Sequence, residues 1–287
     1  MNIFGMVTTR HSNNYTNYAV SSLIENTKLQ PDDDVILIDN DAAYGELPEE
    51  CRARVKVIVN EKPRSFAANL NQAMELARPR QADVVFLNND MVFSHGWFEP
   101  LRPDGPFLVS PLSNAELPYD EDGFKCGLGM DLADYLGREQ LFRDVVRKHR
   151  NRVRGYMTVL SLPFFAVKIP CSVYSVVGPL DESFGVGGGE DKDYCIRCYQ
   201  HGFEARFALN SYILHFQGKS TWRGAETREQ TAARDRFYAE RFREKWGQAL
   251  YEVLVMHELK GLPPDLQQAY KDSQFRKVIE RLLPRGA

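Results

Sequence analysis

Residues 84–90 read VVFLNND, four apolar side chains followed by two asparagines and an aspartate. A run this short and this apolar fits a strand buried on both faces, and the polar triplet marks where it ends. The same pattern recurs outward from it. Residues 3–7 (IFGMV) lead into Thr8, Thr9 and Arg10, residues 35–38 (VILI) into Asp39, Asn40 and Asp41, and residues 55–59 (VKVIV) into Asn60. Between these runs the apolar spacing changes. Val20, Leu23, Ile24 and Thr27, then Phe66, Leu70, Ala73, Met74 and Ala77, recur with the period of a helix. Strands alternating with helices predict an α/β fold with a mostly parallel central sheet and helices on both faces.

The polar residues gather where the strands end. In open α/β sheets ligands bind in the crevice at the carboxyl ends of the strands. Taken singly, Thr8, Arg10, Asp39, Asp41, Asn88 and Asp90 read equally well as turn formers and helix caps. Two separate acidic clusters aimed at one crevice favour a binding site.

Composition bounds the rest. The chain has 287 residues, 43% of them apolar and 26% charged, so one large or two small ordinary globular domains are expected. With 36 basic and 39 acidic residues the net charge is −3, and no whole-molecule field draws the chain to nucleic acid. Five scattered cysteines suit a reducing compartment rather than a disulfide framework. The opening residues, MNIFGMVTTRHSNN, lack the basic leader, apolar segment and cleavage site of a signal peptide. The longest apolar stretch, residues 156–177, contains Pro163, Lys168 and Pro170, which predicts a buried strand and loop rather than a membrane span. These features together predict a cytoplasmic protein.

Beyond residue 112 the pattern loosens. Residues 113–129 read as a loop, and residues 131–154 as a helix with a basic end. Residues 138–154 carry seven Lys/Arg against two acids, either a solvated face or a patch that meets an anionic acceptor or membrane headgroups. Gly187-Gly188-Gly189 precede Glu190-Asp191-Lys192-Asp193, then a helix that closes at Gly202, then a strand over residues 205–214 ending in His215, Gly218 and Ser220. Residues 225–259 and 266–283 read as charged helices parted by Pro263-Pro264.

Three constellations can carry chemistry: Asn88-Asn89-Asp90, Glu190-Asp191, and His215 with its neighbours. A carboxylate and an imidazole can share a divalent cation, and carboxylate ligands suit Mn²⁺ or Mg²⁺. Such an ion would neutralise a departing diphosphate. A carboxylate clear of the metal could take a proton from an acceptor hydroxyl. Cys195 and Cys198 lie one helical turn apart with no second pair for zinc, so they read as a buried face.

In this order the pieces VTTRHSN, VILIDND, NEKPRSFAANLNQA, FLNNDMVFSHGW, VVGPLDESFGVGGGEDKDYCIRCYQHGF and HFQGKST resemble the family 2 glycosyltransferases, over about residues 3–221. The resemblance implies a GT-A fold and inverting transfer from a nucleoside-diphosphate sugar, here a UDP- or dTDP-hexose, to a hydroxyl of a saccharide or lipid-linked acceptor. It implies that Thr8, Arg10 and Asp39 hold base and ribose, with Asn71, Asn88 and Asn89 on the nucleotide. It places Asp90 at the metal, with His215 completing that site, and makes Asp191 the base, although Glu190 could serve instead. Lys219 and Arg223 could contact phosphate, and Trp97 reads as packing. Residues 1–112 would form the nucleotide-sugar half, 113–225 the acceptor half and 226–287 a helical tail on the same globule, with peripheral membrane contact open. Two departures stand out: Asn88 replaces an aspartate of the metal motif, and Ser65 replaces the glycine usual before Phe66. A nucleotidyltransferase, or a non-catalytic nucleotide-sugar or glycan-binding module of the same fold, are the rival readings. The former would show a glycine-rich loop that residues 7–14 lack, and the latter would not need Glu190-Asp191 intact.

Overall fold

The computed structural model describes residues 1–115, 131–219 and 226–284. Most of the expected loop at 113–129, with Ser220 and Arg223, lies outside the described residues. The alternation at the N-terminus becomes β1 (Asn2–Thr8), α1 (Asn13–Asn26), β2 (Asp34–Asp39), β3 (Val55–Val59), α2 (Phe66–Ala77) and β4 (Asp83–Leu87). These four strands are parallel in the order β3-β2-β1-β4. Their register sets Thr8 beside Asp39, Asp39 beside Val59, and Met6 beside Leu87, so the polar ends lie along one edge.

Side-chain alternation explains why helices cover both faces. Ile3, Val7, Ile36 and Ile38 pack with Leu70, Ala73 and Met74 of α2. Phe4, Met6, Val35 and Leu37 pack with Ala19, Val20 and Leu23 of α1. Gly5 lets α2 come close, since a Cβ there would stand 3.2 Å from the Ala73 Cβ.

The other half of the sheet is mixed. It adds β5 (Met91–Phe93), β6 (Phe107–Ser113), β7 (Tyr156–Val159) and β8 (Ala166–Ile169), with α3 (Leu132–Tyr135), α4 (Glu139–Arg152) and α5 (Cys171–Val177) between or after them. Then come α6 (Glu190–Gln200), β9 (Glu204–His215), α7 (Arg228–Leu254), α8 (Pro264–Lys271) and α9 (Phe275–Leu282). β8 runs antiparallel to β4 and β6, and β6 runs parallel to β9. The far edge of β9 takes β7 near its start and β5 at its end, both antiparallel. The apolar stretch at 156–177 is therefore two strands and a helix, with Pro170 at the N-cap of α5. Among the described residues no helix is long and apolar enough to cross a membrane.

Three expected helices are interrupted. The segment from 131 breaks at Gly137, with φ of 87°, between a one-turn helix closed by an Asp131–Asp134 capping box and α4. In α7, which begins at a Thr227–Gln230 capping box, Gly247 leaves helical geometry. Ser273, at φ of 55°, separates α8 from α9. The tail joins the main core through Phe242, Trp246, Leu250, Val253, Leu266, Phe275 and Ile279.

Candidate active site

β1 has β2 on one side and β4 on the other, so the chain reverses its direction of strand addition there, and that switch point opens a crevice at the strand ends. The Asn88-Asn89-Asp90 triplet lies at this crevice. Asn88 leaves β4, its N–H donating to the Phe165 carbonyl at 2.7 Å, and two residues later Asp90 is fully buried. The pairing of β5 with β9 sets Met91 opposite His215. As a result Asp90 Oδ1 and His215 Nε2 face each other at 3.3 Å. Phe216 N–H donates to the Asp90 carbonyl at 2.9 Å and Lys219 N–H to Asp90 Oδ2 at 3.0 Å. The turn that delivers Lys219 passes through positive φ at Gln217 and Gly218. His215 is fixed from below, stacked on Phe165 with ring centroids 5.0 Å apart.

One carboxylate oxygen and one imidazole nitrogen fit a hard divalent cation. They are too few to cage it, and among the described residues no cluster of three or more His, Cys, Asp or Glu could hold one. That donor set suits an ion that arrives with phosphate oxygens, as Mg²⁺-type sites commonly do.

The residues expected to touch nucleotide divide into two groups. Arg10 and Asp39 lie at the crevice. Arg10 is exposed and its Nε meets Asp41 Oδ2 at 2.9 Å, joining the ends of β1 and β2. Asp39 is buried, its oxygens accepting from Ala43 N–H at 3.2 Å and Tyr44 N–H at 3.1 Å, which curls the loop after β2. Asp41 N–H is a third donor to Asp39 at 3.5 Å, and a carboxylate has about four lone-pair sites. Tyr44 closes that loop onto Asn17 at 2.5 Å, and burial first, then Cys51 and Asp39, push its hydroxyl up to about 12. Asn88 is half-buried at the end of β4.

Thr8, Asn71 and Asn89 have their side chains engaged within the protein. Thr8 and Thr16 hydroxyls lie 2.7 Å apart. Asn89, fully buried, donates to Ser12 Oγ at 2.7 Å and Thr16 Oγ1 at 2.8 Å, which ties the Asn88-Asn89-Asp90 triplet to the start of α1. Asn71 exchanges bonds with the backbone of Leu180 at 3.1 and 2.7 Å and donates to Glu182 at 2.8 Å. These three hold the frame of the site. A second frame was missed in the sequence. Asn40, Asn60 and Asn69 are linked at 2.9 and 3.0 Å and hold Arg64 beside α2. Asparagines after strands were its only signal. Ser65 accounts for the missing glycine: its backbone is extended at φ −64° and its Oγ caps α2 by accepting from Ala68 N–H.

Glu190 and Asp191 open α6, whose N-cap is Gly189 at φ of 86°. Gly189 also admits Tyr238, since a Cβ would stand 2.2 Å from that ring. Glu190 is buried and bends back to accept from Gly188 N–H at 2.5 Å. Burial, then the charge of Asp191, push its carboxyl up to about 7. Adjacent carboxylates resist joint ionisation, and burial assigns the neutral role to Glu190. Asp191 keeps a fifth of its side chain exposed, 3.9 Å from Lys192 Nζ. The 160–165 segment links the two chemistries: Leu162 N–H meets Cys195 Sγ at 3.4 Å, Phe164 packs on Tyr194 at 6.0 Å, and Phe165 carries Asn88 and His215.

Other candidates resolve into structure. Cys195 and Cys198 are buried, and burial pushes the Cys195 thiol up to about 12 and Cys198 well above its ordinary value. Trp97 is fully buried against Phe93 and Phe98, its indole N–H on Thr27 at 2.8 Å. The basic end of α4 stands beside Leu209, whose carbonyl lies 2.7 Å from His149 Nε2. It lines a cavity of about 670 Å³ shared with α1 and β5, where Arg143, Arg147 and Arg150 are matched by Glu25, Glu139 and Asp144.

Comparison with known proteins bears on the fold. Residues 6–103 match the family model described as Glycosyl transferase family 2. No curated protein matches the chain at a significant level. Among solved structures, GalNAc-T7 crystallised with UDP, GalNAc and Mn²⁺ superposes with a TM-score of 0.59 at 16% identity, over 98% of this chain and 56% of that one. The chain thus spans little more than half the length of that protein. S. aureus TarS 1-349 superposes with a TM-score of 0.51 at 11% identity, over 98% of this chain and 90% of its own. The same TarS fragment in complex with UDP-GlcNAc gives 0.51 and 11%, over 98% and 83%. At such identities the likeness is one of fold. The curled mixed sheet with helices on both faces is the GT-A-like fold, and in sequence the chain resembles the family 2 glycosyltransferases.

Proposed function

We propose that the protein is an inverting glycosyltransferase that moves a hexose from a UDP- or dTDP-sugar to a hydroxyl of a saccharide or lipid-linked acceptor. The observation that carries this reading is the meeting of Asp90 and His215 at the switch point, with Asp191 at the head of α6 across the 160–165 segment. The solved neighbours holding UDP with Mn²⁺ and UDP-GlcNAc support a nucleotide-sugar donor.

Asp39 and Arg10 would hold the base and ribose, the carboxylate accepting the imide N–H of a pyrimidine. Asp90 and His215 would hold Mn²⁺ or Mg²⁺. When bound there, the ion supplies positive charge to the diphosphate. The acceptor oxygen attacks the anomeric carbon, the bond to the diphosphate oxygen breaks, and the hydroxyl proton passes to Asp191. Glu190, whose neutral form burial favours, leaves that role to Asp191. Val186 and Phe237, exposed to 54% and 49%, offer apolar surface beside the base loop for a sugar ring.

The test is calorimetric titration of UDP, dTDP, GDP and ADP with and without Mn²⁺, coupled to an assay of sugar loss from the donor. UDP or dTDP is expected to bind first and more tightly with Mn²⁺. GDP ranking first would refute the donor assignment, and binding without any turnover across acceptors would favour the non-catalytic module.

A further inference from the structure

The tail helix α7 grips the segment that carries the base. Arg234, Tyr238, Arg241 and Lys245 recur every three or four residues and so share one face. Each meets residues 181–193. Arg234 Nη1 donates to the Gly187 carbonyl at 3.4 Å. The Tyr238 ring covers Gly188 and Gly189. Arg241 Nε donates to Ser183 Oγ at 2.9 Å. Lys245 Nζ bridges Asp181 and Asp193, 2.6 Å from each.

Of these contacts, that of Lys245 reaches Asp193. It is fully buried, and its two oxygens take Lys245 at 2.6 Å, the Trp246 indole N–H at 2.9 Å and Arg197 Nε at 2.9 Å. A buried carboxylate is tolerated only when paired and hydrogen-bonded in this way. Asp193 lies two residues beyond Asp191 on α6. At 3.6 residues per turn the two point to nearly opposite sides of the helix. Fixing Asp193 from α7 therefore fixes the rotation of the first turn of α6, and with it the direction of Asp191. Glu190 cannot supply that anchor, because its carboxyl is turned back on Gly188 N–H.

We infer that α7 is a strap that aims the base, and that Lys245 and Trp246, acting through Asp193, are positioning residues for transfer. This rests on the reading of Asp191 as the base. None of the described contacts of this face of α7 is with Arg10, Asp39 or Asp90, so its loosening should spare donor binding.

The test uses the full chain with Trp246→Phe, Lys245→Met, Lys245→Arg and Asp191→Asn. Transfer kinetics, UDP affinity in Mn²⁺ and thermal melting are measured for each. Trp246→Phe keeps an aromatic side chain and removes the indole N–H, so it reports even if Lys245→Met fails to fold. Misplacement of a reacting group by about 1 Å costs on the order of 100-fold. A fall in kcat of about 10- to 100-fold is expected in Trp246→Phe and Lys245→Met. Donor KM and UDP affinity should stay within about twofold, and Lys245→Arg should restore most of kcat. Full kcat in folded Trp246→Phe and Lys245→Met, alongside an inactive Asp191→Asn, would overturn the strap alone. Loss of kcat matched by equal loss of UDP affinity would also overturn it. An active Asp191→Asn would overturn the base assignment, and the strap with it.

Discussion

Phe165 and His215 stack with centroids 5.0 Å apart and planes 26° from parallel, and the imidazole so held meets Asp90 at 3.3 Å. The next residue back, Phe164, packs on Tyr194 of the base helix. One dipeptide thus supports both the Asp90–His215 pair and the helix that carries Asp191.

Asp90→Ala and His215→Ala should each weaken UDP binding in Mn²⁺ by at least about tenfold, or ~1.4 kcal/mol. Each should leave binding in chelator unchanged. Because the protein offers only two donors, Mn²⁺ alone should bind weakly and tighten when UDP is present. Equal UDP affinity in Mn²⁺ and in EDTA for the unaltered protein would refute the pair as a metal site.

Asp191→Asn should lower transfer by about 10²–10⁴-fold, the usual worth of general-base catalysis, with UDP affinity intact. Glu190→Gln should cost far less, since burial already favours its neutral form. Steady-state rates of the two variants decide between them, and a dead Glu190→Gln beside an active Asp191→Asn would move the base by one residue.

Glu190 also ties stability to pH. Its carboxyl is raised from 4.5 to about 7, so between those values the folded state keeps a proton that the unfolded state has lost. Stability therefore falls as pH rises through that window. Glu190→Gln removes the dependence and should melt higher than the unaltered protein above the window, with the gain shrinking toward pH 4. Thermal melting across pH 4–8 checks this, and parallel curves for the two proteins would count against it.

Asn71→Leu separates frame from ligand contact. It leaves the backbone N–H and carbonyl of Leu180 without their partner, at a cost of about 1–3 kcal/mol for each buried group left unsatisfied. The melting temperature should drop while UDP affinity, measured by calorimetry below the melt, stays the same. A large loss of affinity with no loss of stability would return Asn71 to the nucleotide.

The sequence by itself determined the parallel N-terminal sheet, the helices over it and the edge at which the polar strand ends gather. Those follow from local periodicity: runs such as residues 84–87 form buried strands, and Asn88, Asp39 and Thr8 mark where they end. It also determined that Cys195, Cys198 and Trp97 are core, because spacing on one helix face or apolar company is a local property. Only the tertiary structure decided which polar residues face the crevice. Thr8 and Asn89 have the same kind of side chain and strand-end position as Asn88 and Asp39, yet they point into the start of α1. Their direction is set by the packing of α1 on the sheet. Tertiary structure also decided the antiparallel additions around β8 and β9, since strand pairing is fixed by register between distant segments. The grip of α7 on Asp193 was invisible for the same reason. Lys245 and Trp246 read as one more charged helix until the fold brings their side chains against a carboxylate that has no water to turn to.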